Sequence, residues 1–159
     1  MCGEDLFALS KVIRKPDGSK FDDVYARCWI NWCKSSYEKE GFGHYAVIGK
    51  HSDELIGSAG ISMQPIDGAW RPEIGYHLRE DHRRQGLGKE VAVALRDHFF
   101  MNYGDDVVYS YMDADNVSSY KTAESMGMTY LRDFVTKDGQ RCRIYSITRE
   151  EWMRINKAK

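Results

Sequence analysis

Residues 72–89 read PEIGYHLREDHRRQGLGK, and this stretch decides the fold. A strand is predicted over Arg71–Arg79, because Ile74, Tyr76 and Leu78 alternate with polar or small residues. A basic, glycine-containing turn follows, and then a helix predicted from Lys89 to Met101. The unpaired N–H groups at the start of a helix, together with the helix dipole, favour an anion there. The sequence therefore predicts a phosphate- or pyrophosphate-binding turn, with positive charge supplied by Arg79, Arg83, Arg84 and Lys89.

The pattern of this turn by itself is compatible with more than one role. An ordinary strand-to-helix connection with a solvated basic turn has the same short pattern, which makes the pattern alone a weak signal. Two familiar phosphate-binding motifs are absent, since the chain contains neither GxxxxGK[ST] nor GxGxxG at this position. A binder of nucleotide phosphates of some other kind is a third hypothesis. Competition between ATP and the ligand of the turn would test it.

The rest of the chain predicts a mixed α/β domain. Helices are expected over Asp5–Val12 and from Asp22 or Asp23 to about Tyr37, the second with apolar residues at helical spacing. Two strands, a loop over Gln64–Gly68 and the strand described above come next. After the helix from Lys89, whose apolar stripe is Val91, Leu95 and Phe99, the sequence predicts strand 107–112, a helix capped by Asn116 and ended by Gly127, and a hairpin of strands 130–136 and 141–148.

Composition narrows the class of protein. The chain has 159 residues, 23 Lys and Arg against 24 Asp and Glu, and 42% hydrophobic residues. This length suits a single domain over residues 1–159, with enough apolar surface for a core and too much for disorder. The near-zero net charge argues against a nucleic-acid partner, and no apolar window is long enough to suggest a membrane partner. The N-terminus lacks the features of a secretion signal, and no cysteine or histidine cluster has metal-ligand spacing. A cytoplasmic protein with reduced cysteines and no metal is expected.

Several motifs in sequence order resemble one known family. Arg83-x-x-Gly86-x-Gly88 is similar to the [RQ]-x-x-G-x-[GA] signature of the GNAT superfamily, the acetyl-CoA-dependent N-acetyltransferases. Leu55–Ile61 and Glu73–Leu78 resemble its third and fourth strands. Asn116-x-x-Ser119 followed by Gly127-Met128 resembles a helix of the branch that acetylates the N-termini of ribosomal proteins, and Ile144–Trp152 resembles the closing strand of that branch.

The resemblance implies a fold and a cosubstrate. It implies an α/β (α+β) domain with a mostly antiparallel sheet, flanked by helices and splayed between the fourth and fifth strands. The strand that normally opens the branch has no counterpart in this sequence, so an exposed sheet edge and a homodimer formed through that edge are expected. Acetyl-CoA would be held through the backbone of Tyr76 and Leu78, the turn and helix start, and the later capped helix. The cofactor-binding residues that the resemblance implies are Tyr76, Leu78, Arg83, Arg84, Gln85, Gly86, Gly88, Lys89, Asn116 and Ser119.

The catalytic assignments rest on the same resemblance. Acetyl transfer to an amine needs a base for the amine proton and a hydrogen-bond donor for the leaving thiolate. Glu73 is the candidate base, with a surface or substrate-binding carboxylate as the alternative and His77 as the second candidate. The helix tyrosine that serves many family members as the acid is replaced by Ala123. Ser119 is therefore the candidate donor, although a serine in the first turn of a helix is also structurally ordinary, and Tyr120 is the second candidate.

The residues that contact the acceptor substrate are the hardest to predict from the sequence. Trp29, Trp32 and Glu73 are the candidate substrate-binding residues, with packing of the helix face as the alternative for both tryptophans. Gln64–Arg71 and Phe134 are expected nearby. The sequence thus predicts an enzyme that transfers acetyl from acetyl-CoA to a primary amine, either a peptide N-terminus or a small molecule. The alternative is a CoA-binding regulatory or interaction module with weak or lost catalysis.

Overall fold

Six strands and four helices follow one another along the described chain. The computed structural model describes residues 22–136 and 139–157. In chain order the elements are α1 (Asp23–Glu40), β1 (His44–Ile48), β2 (Leu55–Ile66), β3 (Ala69–Leu78), a short 3₁₀ helix (Glu80–His82), α2 (Leu87–Asn102), β4 (Val107–Asp113), α3 (Val117–Ser125), β5 (Thr129–Val135), β6 (Arg141–Thr148) and α4 (Arg149–Lys157). None of the described helices has the length and apolar character that a membrane crossing requires.

The strands form a single sheet in the order β1-β2-β3-β4-β6-β5. The pairs β1–β2, β4–β6 and β5–β6 are antiparallel. β3 and β4 are parallel, and their register places Glu73 opposite Tyr109. The expected mixed, mostly antiparallel sheet flanked by helices is confirmed. The predicted helix over Asp5–Val12 and the predicted absence of an opening strand both lie outside the described residues, so dimerization through a sheet edge stays a prediction.

The described residues divide into two compact units. The first contains residues 22–62 and 76–88, and the second contains 63–75, 89–136 and 139–157. The core of the first unit includes Ala26, Phe42, Ile56, Ala59 and Ile61. The core of the second unit is larger, and its most deeply buried side chains include Ile74, Phe99, Val108, Met126, Ile144 and Ile147.

Local chemistry sets the ends of the predicted helices. The Asp22 carboxylate accepts a hydrogen bond from the Tyr25 N–H at 2.8 Å, which caps the start of α1. Gly41, at φ 76°, ends the same helix by donating its N–H to the Tyr37 carbonyl. Asn116 caps α3 in the same way as Asp22, and Gly127, at φ 84°, follows its end. Asp22, Asn116 and Gly127 lie at the predicted helix boundaries, whereas α1 continues past its predicted end at about Tyr37 to Glu40.

The predicted loop over Gln64–Gly68 is wrong. β2 continues to Ile66, and a two-residue turn, Asp67-Gly68, leads directly into β3. Both turn residues have positive φ, 56° and 73°. This is the backbone that a tight hairpin requires and that Asp-Gly adopts readily. The dipeptide is a hairpin signal already present in the sequence.

The motif assignment over Ile144–Trp152 also needs correction, because the strand stops at Thr148 and helix α4 follows. The Glu151 carboxylate accepts hydrogen bonds from the N–H and the hydroxyl of Thr148, both at 2.8 Å, and the Thr148 hydroxyl accepts from the Glu151 N–H at 3.2 Å. Thr148-x-x-Glu151 is therefore a capping box, which the sequence pattern T-x-x-E indicates.

The buried stripe of α2 differs from the predicted one. Leu95 and Phe99 are buried as expected, but the stripe runs through Ala92, Arg96 and Phe100. Arg96 is only 2% exposed. Its guanidinium donates to the Met126 carbonyl and pairs with the Asp97 carboxylate at 2.6 Å. A charged side chain can occupy this stripe because each of these contacts offsets part of its desolvation.

Candidate functional site

The turn before α2 contains two residues with left-handed backbone. Arg84 and Gly86 both lie in the left-handed region, at φ 60° and 83°. α2 begins directly afterwards at Leu87, slightly before the predicted start at Lys89. The first N–H groups of a helix have no partner within the helix. The turn and the helix start therefore present several backbone donors within a few residues of one another.

Two side chains of this turn hold it in place. Arg83 donates from Nε to the Leu78 carbonyl at 3.1 Å, which ties the turn to the end of β3. Gln85 donates from Nε2 to the Asp81 carbonyl at 3.2 Å. The backbone N–H groups are therefore the donors most directly offered to a ligand, and Arg84 and Lys89 have exposed side chains beside them.

Arg79 is also expected to contribute positive charge to the turn, but it is used elsewhere. Its guanidinium pairs with the Asp81 carboxylate at 2.6 Å and with the Glu54 carboxylate at 3.6 Å. It also donates to the Leu55 carbonyl at 3.3 Å. Arg79 therefore anchors the strand end, and its charge is largely compensated within the first unit.

Gly88 packs against Tyr76 and Leu78 of β3. A Cβ built at Gly88 would lie 3.6 Å from Cε2 of Tyr76 and 3.8 Å from Cδ1 of Leu78, which is ordinary contact. A Cβ at Gly86 would meet nothing within 4 Å. Gly86 is therefore required for its backbone angle, whereas Gly88 has room for a methyl group. The first unit brings Tyr76, Leu78, Arg83 and Gly88 together.

In the second unit, Glu73 is buried on β3. Its residue is 7% exposed, and it faces Tyr109 across the β3–β4 pair. One residue further, the Ser110 hydroxyl donates to the Ile74 carbonyl at 3.1 Å, which fixes the two strands at this point. A buried carboxylate at a fixed position is what a general base requires. In the first unit, desolvation and then the charge of Arg83 lower the pKa of His77, the second candidate base.

Tyr111, in the second unit, is not among the predicted site residues. It lies on β4, and its hydroxyl is 3.5 Å from Oε1 of Gln64. Its ring contacts Phe134 edge-on, with centroids 5.8 Å apart. Burial, then the charge of Glu73 and then Cys142 raise the pKa of Tyr111 to about 12. The phenol is therefore neutral at pH 7. Tyr109 and Tyr111 are two residues apart on β4, and this spacing is the signal in the sequence, since alternate residues of a strand share a face.

The capped helix α3 shows structural uses for several of its candidate residues. The Asn116 side chain accepts from the Ser119 N–H at 3.2 Å and from the Ser118 hydroxyl at 2.9 Å. Ser119 is half-buried in the first turn. The Tyr120 ring lies against the Arg143 guanidinium, 5.1 Å from centroid to Cζ. The Asn116 side chain therefore has a structural role as the N-cap of α3.

In the first unit, Trp29 and Trp32 surround a histidine. His44 lies 6.1 Å from the Trp29 ring and 5.8 Å from the Trp32 ring, measured between centroids. Trp32 is 42% exposed. Packing in the core therefore does not account for Trp32. Burial, with a smaller effect from His77, lowers the pKa of His44 to about 4, so the histidine is neutral at pH 7.

Three of the four cysteines lie within the described residues. Cys28 is exposed, whereas Cys33 and Cys142 are buried. Burial raises the pKa of the Cys33 thiol to about 11. No group of three or more metal-ligating side chains occurs in residues 22–136 and 139–157.

Known proteins are similar to this chain over most of its length. A family profile described as Acetyltransferase (GNAT) domain matches residues 4–129. An uncharacterized protein of Bacillus subtilis, YkkB, is 29% identical over 109 residues, which cover 69% of this chain and 63% of that protein. The chain spans 63% and 58% of the length of two curated relatives.

Solved structures with the same fold are numerous, and three are informative. A GNAT-family acetyltransferase of Bordetella pertussis, described as putative, matches with TM-score 0.75 at 19% identity, over 89% of this chain and 87% of that one. A ribosomal-protein-alanine N-acetyltransferase of Brucella melitensis gives 0.70 at 16%, over 93% and 96%. The acetyltransferase yncA of Salmonella typhimurium, also described as putative and solved with its cofactor acetyl-CoA, gives 0.63 at 18%, over 81% and 75%. At these identities the likeness shows the fold.

Proposed function

The chain belongs to the GNAT acetyltransferase family, and from this premise we propose that it transfers the acetyl group of acetyl-CoA to a primary amine. The observation that carries the proposal is the turn before α2, with left-handed residues at Arg84 and Gly86 directly ahead of a helix of 16 residues. A pyrophosphate is the natural ligand of such a turn, because it can accept several backbone hydrogen bonds at once.

The residues of the turn fit the cosubstrate. The backbone N–H groups from Arg84 to Lys89 would bind the pyrophosphate, and the exposed Arg84 and Lys89 would add positive charge. The backbone of Tyr76 and Leu78 would bind the pantetheine arm, as the family resemblance implies. When bound, acetyl-CoA supplies the activated acetyl group, and the chemistry left to the protein is proton movement and polarisation.

Glu73 is proposed as the general base. Its burial on β3 supports the assignment, since a carboxylate with little access to water is available to a bound amine rather than to solvent. Glu73 would accept the proton that the acceptor amine loses. Ser119 is proposed as the hydrogen-bond donor to the leaving sulfur. Its half-buried position in the first turn of α3 is compatible with that role, and Asn116 would keep the turn in place.

Two classes of acceptor are proposed. Both a peptide N-terminus and a small-molecule amine satisfy the chemistry. The Asn116-x-x-Ser119 motif makes a peptide N-terminus the first acceptor to test. Trp29 and the exposed Trp32 are proposed to contact the acceptor, since an exposed aromatic ring beside a neutral histidine offers an uncharged binding surface.

The test is a thiol-release assay with acetyl-CoA and a panel of peptides, polyamines and aminoglycosides. We expect turnover with at least one amine. Glu73→Gln should lower kcat by about a hundredfold or more while acetyl-CoA binding, measured by calorimetry, is retained. Glu38→Gln is the matched control, because it makes the same chemical change at an exposed carboxylate of α1 to which no role is assigned.

Three outcomes would contradict parts of this proposal. Tight acetyl-CoA binding without transfer to any amine would favour a CoA-binding module. Displacement of acetyl-CoA by ATP at similar concentrations would favour a nucleotide-phosphate binder. Equal kcat for Glu73→Gln and Glu38→Gln would remove Glu73 from the role of base but leave acetyl transfer intact.

A further inference from the structure

A cleft of about 170 Å³ lies in the second unit, where β3 and β4 begin. Its walls come from the first residues of β3, from the segment that joins α2 to β4, and from β4 itself. The volume is below the range of about 300–1,000 Å³ that is typical of sites for drug-sized ligands. The cleft therefore suits a small molecule.

Arg71 and Asp105 place opposite charges on this cleft. Both residues are exposed. Within residues 22–136 and 139–157, neither side chain forms an ion pair or a hydrogen bond. The cleft thus presents one cation and one anion that do not neutralise each other, and each is available to an opposite charge on a ligand.

The Arg71 guanidinium is held against an aromatic ring. Its Cζ lies over the ring of Tyr109, which also lines the cleft, at 5.9 Å from the centroid. A cation–π contact of this kind uses none of the N–H groups as hydrogen-bond donors. The guanidinium can therefore still bind a carboxylate through two parallel N–H groups, which is its preferred geometry with that partner.

Arg149 holds the segment that carries Asp105. Its Nη2 donates to the Asp105 carbonyl at 2.9 Å, and its backbone N–H donates to the Asp106 carbonyl at 2.7 Å. Its guanidinium also lies 3.7 Å from the Asp106 carboxylate. The charge of Asp106 therefore has a partner, whereas the carboxylate of Asp105 is available to an ammonium group.

Trp70 adds an apolar wall to the same cleft. It is 68% exposed, which leaves much of a large aromatic side chain in contact with water. An apolar group of a ligand that covers this ring removes apolar surface from water, and this stabilises the complex. The cleft therefore combines two opposite charges with one exposed aromatic ring.

We propose that this cleft binds a small zwitterion of the α-amino acid type, with Arg71 binding the carboxylate, Asp105 the ammonium group and Trp70 the apolar side chain. Such a ligand satisfies both charges of the cleft at once. A simple anion or a simple cation would satisfy one of them and meet a like charge at the other. The inference goes beyond the proposed function, because binding requires neither acetyl-CoA nor Glu73.

The main test is calorimetry with leucine and two analogues that each lack one charge. Leucine amide has no carboxylate, and N-acetylleucine has no ammonium group. We expect leucine to bind saturably with a Kd below about 10 mM, and each analogue to bind about tenfold more weakly or worse. Equal affinity for the three compounds, or no saturable binding of leucine, would overturn the inference.

Two variants assign the charges to their residues. In Arg71→Gln, leucine and leucine amide should bind equally weakly, because the group that recognises the carboxylate is gone. In Asp105→Asn, leucine and N-acetylleucine should bind equally weakly for the corresponding reason. Arg154→Gln is the matched control, since it makes the same change at an exposed arginine of α4 that pairs with Glu150, and it should bind leucine as the unmodified protein does. All three substitutions are at exposed positions, so each Tm should stay within about 2 °C of the unmodified protein.

Tryptophan fluorescence places the ligand in the molecule. Leucine should change the emission of the unmodified protein and of Trp32→Phe, and it should leave the emission of Trp70→Phe unchanged. A change that is lost in Trp32→Phe and kept in Trp70→Phe would place leucine at α1 and overturn the inference. These measurements contain no acetyl-CoA, so a protein that binds leucine as expected and transfers no acetyl group would support the inference and contradict the proposed function.

Discussion

Replacing Gly86 by alanine tests the left-handed turn on which the proposed cosubstrate site depends. Gly86 has φ 83°, and a Cβ built there would meet nothing within 4 Å. The substitution therefore causes no steric clash, and any effect comes from the backbone angle alone. Gly88, two residues later, is the natural comparison, because its Cβ would make only ordinary contacts with Tyr76 and Leu78.

The expected magnitude follows from these two environments. An L-residue in the left-handed region costs about 1–2 kcal/mol, and the lower entropy of the unfolded alanine chain returns ~0.4–1 kcal/mol. Gly86→Ala should therefore lower the free energy of unfolding by about 1 kcal/mol. For a protein of this length that corresponds to ~2–4 °C in Tm. Gly88→Ala should be neutral or stabilise by up to ~1 kcal/mol, since alanine is the better helix former.

Two assays check this prediction together. Thermal and urea denaturation give the stability change, and calorimetry gives the Kd for acetyl-CoA. Gly86→Ala should weaken acetyl-CoA binding because it tilts the backbone donors of the turn. The acetyl-CoA affinity of Gly86→Asn should lie between those of Gly86→Ala and the unmodified protein, since asparagine tolerates positive φ better than alanine. A Gly86→Ala protein as stable as Gly88→Ala would refute the left-handed assignment. Reduced stability with unchanged acetyl-CoA affinity would refute the role of the turn in binding.

Two further predictions concern the first unit. His44 has a pKa of about 4 in the folded protein against 6.5 in the unfolded chain. Between these pH values the unfolded state binds more protons, so the free energy of unfolding falls as the pH is lowered from 6.5 to 4, by up to ~3 kcal/mol. His44→Gln should flatten that slope in urea titrations from pH 7 to 4, and parallel slopes would contradict the argument. Gly60→Ala should cost about 3 kcal/mol or more, because its Cβ would lie 2.2 Å from the Gly43 carbonyl oxygen and 2.4 Å from Cα of His44. Gly104→Ala, whose Cβ would meet nothing within 4 Å, is the control, and equal stability of the two variants would show that the β1–β2 contact yields easily.

Much of the secondary structure could be predicted because its signals are local. The cap at Asp22, the left-handed glycine at Gly41 and the cap at Asn116 each act on residues within a few positions along the chain. The two misassigned segments also carry local signals, the Asp67-Gly68 hairpin turn and the Thr148-x-x-Glu151 capping box. They are outweighed by a loop-like composition in one case and by the family resemblance in the other.

The buried positions are harder to predict. The apolar spacing of α2 predicts a stripe through Leu95 and Phe99, yet the same face carries Arg96 at 2% exposure. Arg96 is accommodated by the Met126 carbonyl, 30 residues away, and by Asp97, whose carboxylate also accepts from Nε1 of Trp152 at 2.7 Å. The periodicity of one helix cannot identify groups 30 and 55 residues away, such as the Met126 carbonyl and the Trp152 indole.

The sequence by itself determined the turn from Arg83 to Gly88 and the helix that follows it, because a left-handed glycine and a helix start are properties of a few consecutive residues. Tertiary structure alone decided the surroundings of Glu73. Strand pairing buried that carboxylate opposite Tyr109 and placed Tyr111, Gln64 and Phe134 together from three other strands. The difference is physical: backbone conformation is set by neighbouring residues, whereas burial and the charges around a side chain depend on which distant strands become neighbours in the sheet.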